Sequence, residues 1–232
     1  SDPKTRKNLI NMKALFRLLR PKQWAKNLLV FAAWIFVGQW YDLALLASTA
    51  LAFAAMCLVS SATYIANDVR DVEKDRLHPN KKNRPLASGQ VPTSVAIVLA
   101  GVLAVAGLGI AWAISPTSGQ IVLAYLGLQV AYNLKLKAMP VLDVFCIATG
   151  FIVRAVLGAA AIQVSLSGWF LLCTGALALM LGFAKRRNEY IIQHENDVEI
   201  RESLVHYSLQ ALDMLVVLFA GLAAMCYAVY SV

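Results

Sequence analysis

The stretch from residue 67 to residue 89 reads NDVRDVEKDRLHPNKKNRPLASG, and it follows directly on the long apolar run 43–66. Four acids and three bases occupy its first ten positions, and a Pro-Leu-Ala-Ser-Gly turn closes it. A long apolar run that ends in dense charge is typical of a helix that leaves the hydrocarbon core of a membrane. The prediction of the fold therefore depends on whether the rest of the chain repeats this pattern.

The rest of the chain does repeat it, because 59% of the 232 residues are hydrophobic and only 15% are charged. Seven apolar runs stand out, of which the first and fourth are short: 25–41, 43–66, 93–114, 119–134, 139–162, 167–184 and 209–231. None shows the period-2 alternation of a membrane barrel strand. Glycines inside the runs, among them Gly107 and Gly158, indicate close helix packing in lipid. The sequence predicts an all-α, polytopic membrane helical bundle, with residues 1–232 as a single membrane domain.

The net charge of +8 is placed in a way that favours membrane orientation over nucleic-acid binding. Twenty of the 21 Lys and Arg residues lie in four segments: 4–26, 70–84, 135–137 and 185–201. The loops between them carry none: 38–42, 115–120 and 163–167. This asymmetry follows the positive-inside rule. It predicts a multi-pass protein of the inner (plasma) membrane, with the N-terminus and the charged loops in the cytoplasm and no nucleic-acid partner.

The N-terminal segment 1–22 is predicted to be cytoplasmic or interfacial. Its part LINMKALFRLLR, residues 9–20, alternates apolar and basic residues at helical spacing, and Pro21 ends the pattern. Such a helix lies on the inner leaflet. An alternative role for Lys22 or Lys26, which flank a tryptophan, is to reach a lipid phosphate.

The acids after run 43–66 form a stripe if the helix continues past residue 66. With 100° between successive residues, Asn67, Asp68, Asp71 and Asp75 fall within about a quarter of the circumference. Acids at a helix C-terminus are disfavoured, and like charges on one face repel each other. Mg²⁺ prefers oxygen ligands and binds through one or two carboxylates together with phosphate oxygens. We therefore predict that these four residues hold Mg²⁺ and that the three aspartates are catalytic.

Three bases follow the stripe, and their chemistry suits phosphate. Lys81, Lys82 and Arg84 lie in the loop that closes the charged stretch, and charge-assisted hydrogen bonds to phosphate are strong. We expect these bases to cover the phosphates of a metal-bound diphosphate. The alternative is an ordinary solvated loop of mixed charge.

The stretch NDVRDVEKD (67–75) with RPLASG (84–89) resembles the first aspartate motif of the UbiA superfamily of membrane prenyltransferases. The resemblance implies an all-helical protein that binds a Mg²⁺-diphosphate substrate in a central cavity open to the membrane. Members usually have nine spans. We therefore expect either that two C-terminal helices lie outside this chain or that the chain is a shorter member.

The chain departs from the usual pattern where a second aspartate-rich motif is expected, after the sixth apolar run. There it reads KRRNEYIIQHE, residues 185–195. We interpret Lys185, Arg186 and Arg187 as an anion site that needs no metal. With RLLRPKQWAKNLLVF (17–31) and VLDVFCIATGFIVRAVLGAAA (141–161), this stretch resembles one branch of the superfamily.

That branch transfers 5-phosphoribose from phosphoribosyl pyrophosphate to a polyprenyl phosphate, decaprenyl phosphate, for the arabinan precursors of a cell wall. The resemblance implies these two substrates, Mg²⁺ as the cofactor and the membrane as the setting. One alternative is a prenyltransferase of the same superfamily that acts on an aromatic acceptor. Another is a transporter of an anionic solute. The residues do not decide between a monomer and a homo-oligomer, and a homo-oligomer is kept as an open alternative.

Arg154 lies near the middle of the fifth apolar run, where a charged residue is costly and indicates function. Asp143 precedes it by eleven residues, on nearly the same helix face and roughly 16 Å away along the axis. Together they are expected to line a polar cavity; the alternative is a structural ion pair of Arg154 with Asp213. Weaker candidates for substrate binding end the fourth run: Tyr132, Asn133, Lys135 and Lys137.

Overall fold

The computed structural model describes residues 12–77, 81–196 and 202–231. Within these ranges the chain is helical and contains no strand. The α-helices, in chain order, are α1 (Met12–Leu18), α2 (Ala32–Val37), α3 (Leu43–Arg70), α4 (Val72–Leu77), α5 (Thr93–Ile114), α6 (Pro116–Leu134), α7 (Leu142–Ala161), α8 (Gly168–Asn196) and α9 (Leu209–Ser231). A 3₁₀ segment, Pro21–Phe31, leads into α2. The predicted all-α membrane bundle is confirmed.

Five of the described helices, rather than the expected seven, are long and apolar enough to cross a membrane: α3, α5, α7, α8 and α9. The two other expected spans are the first and the fourth. In the first, a 3₁₀ segment precedes an α-helix of only six residues. In the fourth, α6 has 19 residues, but Gln120, Gln129 and Asn133 lower its mean hydropathy.

Close backbone approach at two glycines fixes how the first half of the bundle packs. A Cβ atom on Gly107 of α5 would lie 2.8 Å from the carbonyl oxygen of Ala55 in α3. A Cβ atom on Gly158 of α7 would overlap the carbonyl group of Val30 in the 3₁₀ segment. Only a residue without Cβ permits these contacts, so the packing role expected for both glycines is confirmed.

The second half of the bundle is built by α7, α8 and α9 around Phe183, which is fully buried. The Phe183 ring stacks on Phe219 with 5.6 Å between ring centroids. Leu204 and Tyr207, which lie between α8 and α9, belong to the same buried cluster. The Tyr207 hydroxyl accepts a hydrogen bond from the backbone N–H of Val141, so the loop before α9 is tied to the start of α7.

The N-terminal helix α1 is seated on the bundle by one face. Ala14 and Leu18 are buried, whereas Met12 and Phe16 are more than half exposed. The buried face packs on apolar residues of α3 and α5, and residues 9–11 of the predicted helix lie outside the described ranges. The chain then turns at Arg20, whose backbone is left-handed with φ 54° and ψ 58°. This arrangement brings the end of α1 next to the charged end of α3.

The basic segments of the sequence meet at one end of the bundle. Arg70, the last residue of α3, donates hydrogen bonds to the backbone carbonyl groups of Asn133 and Leu134 at the end of α6. Lys137, in the following loop, reaches Asp71. The loop after α4 returns to α3 through Arg84, which pairs with Asp68. The candidate site lies where these segments converge.

Candidate functional site

The helix of the acidic stripe breaks at Asp71, so the four predicted ligands do not lie on one continuous helix. Helix α3 ends at Arg70, and the N–H of Asp71 donates to the carbonyl of Asn67 at 2.9 Å. After this break α4 carries Asp75. Asp68 and Asp75 are both buried, with exposed fractions of 3% and 4%. The break thus allows two aspartates from different helices to approach each other.

A single guanidinium nitrogen bridges these two aspartates. Nη1 of Arg84 lies 3.1 Å from Oδ1 of Asp68 and 2.6 Å from Oδ2 of Asp75. The two carboxylates are therefore close enough to share one positive group. Mg²⁺ commonly uses one or two carboxylates and completes its shell with water and substrate phosphate. The pair Asp68–Asp75 therefore suits a divalent cation.

The other two predicted ligands share a different cation. Nζ of Lys137 lies 2.9 Å from Oδ2 of Asp71 and 3.4 Å from Oδ1 of Asn67. The stripe is thus divided into two pairs, each around one basic group. In the part of the chain that the structure describes, no three Asp, Glu, His or Cys side chains come together as a complete metal cage. Oxygen atoms of a substrate would have to complete the shell.

Arg20 also belongs to the site, although the sequence analysis did not select it. Its Nη2 forms an ion pair with Oδ1 of Asp68, and its guanidinium group lies 5.3 Å from the centroid of the Tyr64 ring. A residue before proline avoids the α region, so the Arg20–Pro21 pair in the sequence was a signal that this arginine leaves the helix. The turn at Arg20 directs its side chain to α3.

A polar cavity of about 250 Å³ lies beside Asp68 at the surface of the site. The wall comes from α1, from the turn after it, from the end of α3 and from the loop after α4. The lining residues are Arg17, Arg20, Asp68, Asn83, Arg84 and Pro85. Three guanidinium groups and one carboxylate give this cavity a net positive charge.

The remaining predicted phosphate ligands differ in their exposure. Lys81 and Tyr132 are half-buried, whereas Lys22, Lys82 and Lys135 are exposed. The structure brings the bases at 81 and 82 close to Arg84 within one short loop. Their predicted contacts with phosphate stay predictions.

Lys26, in the 3₁₀ segment and outside the five candidate spans, lies near several other cations. Partial loss of water, followed by the positive charges of Lys185, Arg154 and Arg20, lowers the pKa of Lys26. The predicted base at 26 and the basic stretch after the sixth apolar run therefore contribute to the same positive region. Such a region favours binding of an anion.

The three consecutive bases 185–187 have three different environments. Arg186 is 1% exposed, and its Nε lies 2.8 Å from Oδ2 of Asp143; it also contacts the carboxylate of Glu189. Arg187 pairs with Asp213. The side chain of Lys185 is 68% exposed, and its Nζ lies 3.7 Å from Oε1 of Glu189. Among the three, Lys185 has the most exposed side chain and Arg186 the least.

These pairs correct two expectations about Arg154. Asp213 pairs with Arg187, so the expected ion pair between Arg154 and Asp213 is wrong. Asp143 is fully buried against Arg186 and does not line a polar cavity with Arg154. Both differences arise because α8 packs against α7 and against α9, and its arginines pair with the acid of each.

Arg154 is instead held by neutral groups. Its Nε donates to Oδ1 of Asn27 at 2.8 Å, Nη1 donates to the carbonyl of Gly150, and Nη2 lies 3.3 Å from the hydroxyl of Tyr125. The Tyr125 and Phe151 rings lie within 6 Å of its guanidinium carbon. Among the described residues it has no carboxylate partner, so its charge stays uncompensated by protein acids. Asn27, which the sequence analysis missed, is fully buried.

The chain is similar to known proteins over nearly its whole length. The model of the UbiA prenyltransferase family matches residues 28–232. A decaprenyl-phosphate phosphoribosyltransferase of Mycolicibacterium smegmatis is 39% identical over 229 residues, which cover 97% of this chain and 71% of the relative. A protein of the same name from Mycobacterium tuberculosis is 36% identical over 219 residues, 93% of this chain and 72% of the relative.

The solved structure of a UbiA homolog from Archaeoglobus fulgidus, bound to GPP and Mg²⁺, has the same fold. It superposes with a TM-score of 0.71 at 20% sequence identity and covers 94% of this chain and 76% of that one. At this identity the likeness shows the fold alone. It agrees with the helical bundle described above.

Proposed function

Because this chain belongs to the UbiA prenyltransferase family, we propose that it transfers 5-phosphoribose from phosphoribosyl pyrophosphate to a polyprenyl phosphate, decaprenyl phosphate, and releases pyrophosphate. The observation that carries the proposal is the similarity of nearly the whole chain to two decaprenyl-phosphate phosphoribosyltransferases. The paired aspartates and the positive regions around them support it, since both substrates are phosphates.

In the proposed reaction a phosphate oxygen of the lipid attacks the anomeric carbon of the ribose. The bond between that carbon and the diphosphate oxygen breaks, and pyrophosphate leaves with the electron pair. A phosphate monoester is already an anionic nucleophile, so no side chain has to remove a proton. The residues of the chain therefore act by positioning two anions that would otherwise repel each other.

Asp68 and Asp75 are the residues that we propose hold Mg²⁺, with Asn67 and Asp71 beside them. The bridging position of Arg84 between the two aspartates supports this choice, because it shows that one cation can contact both. Bound there, Mg²⁺ would neutralise charge that develops on the departing pyrophosphate. Arg84, Lys81 and Lys82 would then face the phosphates of the donor.

The lipid phosphate is proposed to bind on the other side of the reacting carbon, near Lys26 and Lys185. These cations lie close enough to each other that Lys185 lowers the pKa of Lys26, and an anion between them would relieve that repulsion. Arg186 is buried against Asp143 and Arg187 pairs with Asp213, whereas the side chain of Lys185 is the most exposed of the three and its distance to Glu189 is the longest, at 3.7 Å. The isoprenoid tail would leave sideways between helices, in a multi-pass protein of the inner membrane whose charged end faces the cytoplasm.

The test is a transfer assay with purified full-length chain, labelled phosphoribosyl pyrophosphate and two lipids, decaprenyl phosphate and a prenyl diphosphate. We expect Mg²⁺-dependent labelling of decaprenyl phosphate and release of pyrophosphate. Prenyl transfer from the prenyl diphosphate to an aromatic acceptor would overturn the proposal in favour of an aromatic prenyltransferase. Absence of pyrophosphate release, with uptake of the anion into vesicles, would overturn it in favour of a transporter.

A further inference from the structure

The positive cavity beside Asp68 is not needed to hold a diphosphate on the two aspartates. It lies on the side of Asp68 that faces α1, whereas Asp75 is outside its lining. A water molecule takes about 30 Å³ of liquid volume, so a cavity of about 250 Å³ has room for roughly eight waters, or for one phosphate group and its shell. Its size and charge are therefore suited to a second, separate anion.

The charges of the cavity are unequally satisfied. Arg20 and Arg84 share Asp68, but Arg17 forms no ion pair with any residue that the structure describes. Asp68 gives the three arginines of the cavity a single negative charge, and a divalent cation on its carboxylate would compete for that charge. The arginines that line the cavity are therefore suited to a further anion.

We propose that Arg17 and Arg20, with Asn83 at the rim, bind the 5-phosphate of the ribose donor. This inference rests on the proposed function. The donor carries a 5-phosphate and a 1-diphosphate on opposite sides of the ribose ring, and the aspartate pair and the arginine cavity are two adjoining sites for these two groups. Arginine suits this role because its planar fork binds phosphate through two parallel hydrogen bonds. The cavity thus determines donor specificity.

The consequence is discrimination between two kinds of diphosphate. A prenyl diphosphate has the group that the aspartate pair would bind, but it has no second phosphate. Binding it would forgo the contacts of Arg17 and Arg20 with a second phosphate-bearing group. The site would therefore favour the phosphoribosyl donor through contacts that a prenyl diphosphate cannot make.

The test compares two competitive inhibitors of turnover, ribose 5-phosphate and pyrophosphate, on purified full-length chain in detergent. Each inhibitor contains only one of the two donor groups. For Arg17→Ala we expect the inhibition constant of ribose 5-phosphate to rise roughly tenfold or more, as loss of a charged hydrogen bond implies. The inhibition constant of pyrophosphate should change less than twofold. For Arg17→Lys the inhibition constant of ribose 5-phosphate should lie between the values for Arg17→Ala and for the wild type.

The matched control is Arg76→Ala, since Arg76 is an exposed arginine that pairs only with Glu73 on its own helix among the described residues. It should leave both inhibition constants unchanged. Equal rises for both inhibitors with Arg17→Ala, or no rise for either, would overturn the inference. Because Arg17 is exposed, the variant should fold, and unchanged melting of Arg17→Gln provides a second, isosteric check.

A phosphate monoester could also come from a phospholipid headgroup, because α1 lies at the charged end of the bundle. A second arm therefore measures binding of the wild type and Arg17→Ala to vesicles with anionic phospholipid. Loss of vesicle binding with unchanged inhibition by ribose 5-phosphate would assign the cavity to lipid and overturn the inference. Failure of the wild type to use phosphoribosyl pyrophosphate at all would instead overturn the proposed function, and the inference with it.

Discussion

Asp68 is the residue on which most charge at the site converges. It is buried and forms ion pairs with Arg20 and Arg84. Arg20 precedes α3 in the sequence, and Arg84 follows it. The two arginines place positive charge against a buried carboxylate, and the second aspartate stays close because Arg84 contacts both. A single residue therefore links the N-terminal turn, the end of α3 and the loop after α4.

Asp68→Asn should abolish turnover and Mg²⁺-dependent donor binding, because it removes half of the carboxylate pair. Stability should fall by only about 1–3 kcal/mol, since Arg84 keeps its ion pair with Asp75. Turnover, donor binding with and without Mg²⁺, and thermal melting measure these effects. Glu73→Gln is the control, an exposed acid on α4 that should change stability by under about 0.5 kcal/mol. Near-normal turnover of Asp68→Asn would remove Asp68 from the site.

Arg154→Ala should destabilise the protein by about 2–4 kcal/mol, because Asn27 and Tyr125 would lose a buried hydrogen-bond donor. Thermal melting in detergent measures the change. Neutralising Asp213 in the same variant should give no rescue, since Asp213 pairs with Arg187. Recovery of the melting temperature on adding Asp213→Asn would show that the two residues interact after all.

Helices α7 and α8 are joined by a buried ion pair, and this pair explains one position of the basic run 185–187 within α8. Arg186 enters the interface and meets Asp143, whereas Arg187 points to α9 and Lys185 stays exposed. The run therefore serves helix packing in two of its three positions. Lys185 has the most exposed side chain of the three, which is why the proposed lipid-phosphate contact is assigned to it.

Arg186→Met should cost about 3–5 kcal/mol, because it leaves Asp143 buried without its partner. Arg187→Met should cost no more than about 1 kcal/mol, since both members of that pair are nearly half exposed. Chemical denaturation or thermal melting of the two variants gives the comparison. The double variant Asp143→Leu/Arg186→Met should recover most of the lost stability. Equal effects of the two single substitutions would contradict the buried pair.

Gly158→Ala should destabilise the contact between α7 and the 3₁₀ segment by about 1–3 kcal/mol, because the new methyl group meets the backbone of Val30. Gly101→Ala is the control on α5, where an added Cβ meets no atom within 4 Å. Alanine there should be neutral or stabilise the helix by up to about 1 kcal/mol. Melting temperatures that fall equally for both would show that the close contact between Gly158 and Val30 does not set the cost.

In the whole molecule, most Lys and Arg residues lie at one end of the helical bundle. The basic segments meet through contacts among α3, the loop after α6 and the loop after α4. The opposite loops carry no Lys or Arg. Because charge placement controls membrane orientation, the candidate site should face the cytoplasm, where a water-soluble donor can reach it.

A labelling experiment tests this orientation. Gln90→Cys, at the charged end, should react with a membrane-impermeant maleimide only after the membrane is opened. Ser167→Cys, in an opposite loop, should react in intact cells. Cys57, Cys146 and Cys226 are buried, so a Cys173→Ala background keeps the signal specific. Labelling of Gln90→Cys in intact cells would show that the charged end faces the outside, opposite to the expected orientation.

The sequence by itself determined the helices, the membrane setting and the side on which the charge lies. Apolar runs and Lys/Arg placement are local properties, and lipid leaves few ways to satisfy the backbone. It also selected the aspartates of the site, because acids at the end of an apolar helix are costly without a cation. The short first and fourth runs are the ones whose helices fall below the length or hydropathy of the five candidate spans, because the first contains a 3₁₀ segment and the fourth contains polar residues.

Only the tertiary structure decided which charges meet. Arg20 and Asp68 are 48 residues apart, Asp143 and Arg186 are 43 apart, and Asn27 and Arg154 are 127 apart. No local pattern encodes such pairs, because they depend on which helix faces pack and on how far each side chain reaches. For the same reason the cavity lined by Arg17 is invisible in the sequence, where that residue reads only as part of an interfacial helix. Packing, through the contacts at Gly107 and Gly158, brings these distant residues together.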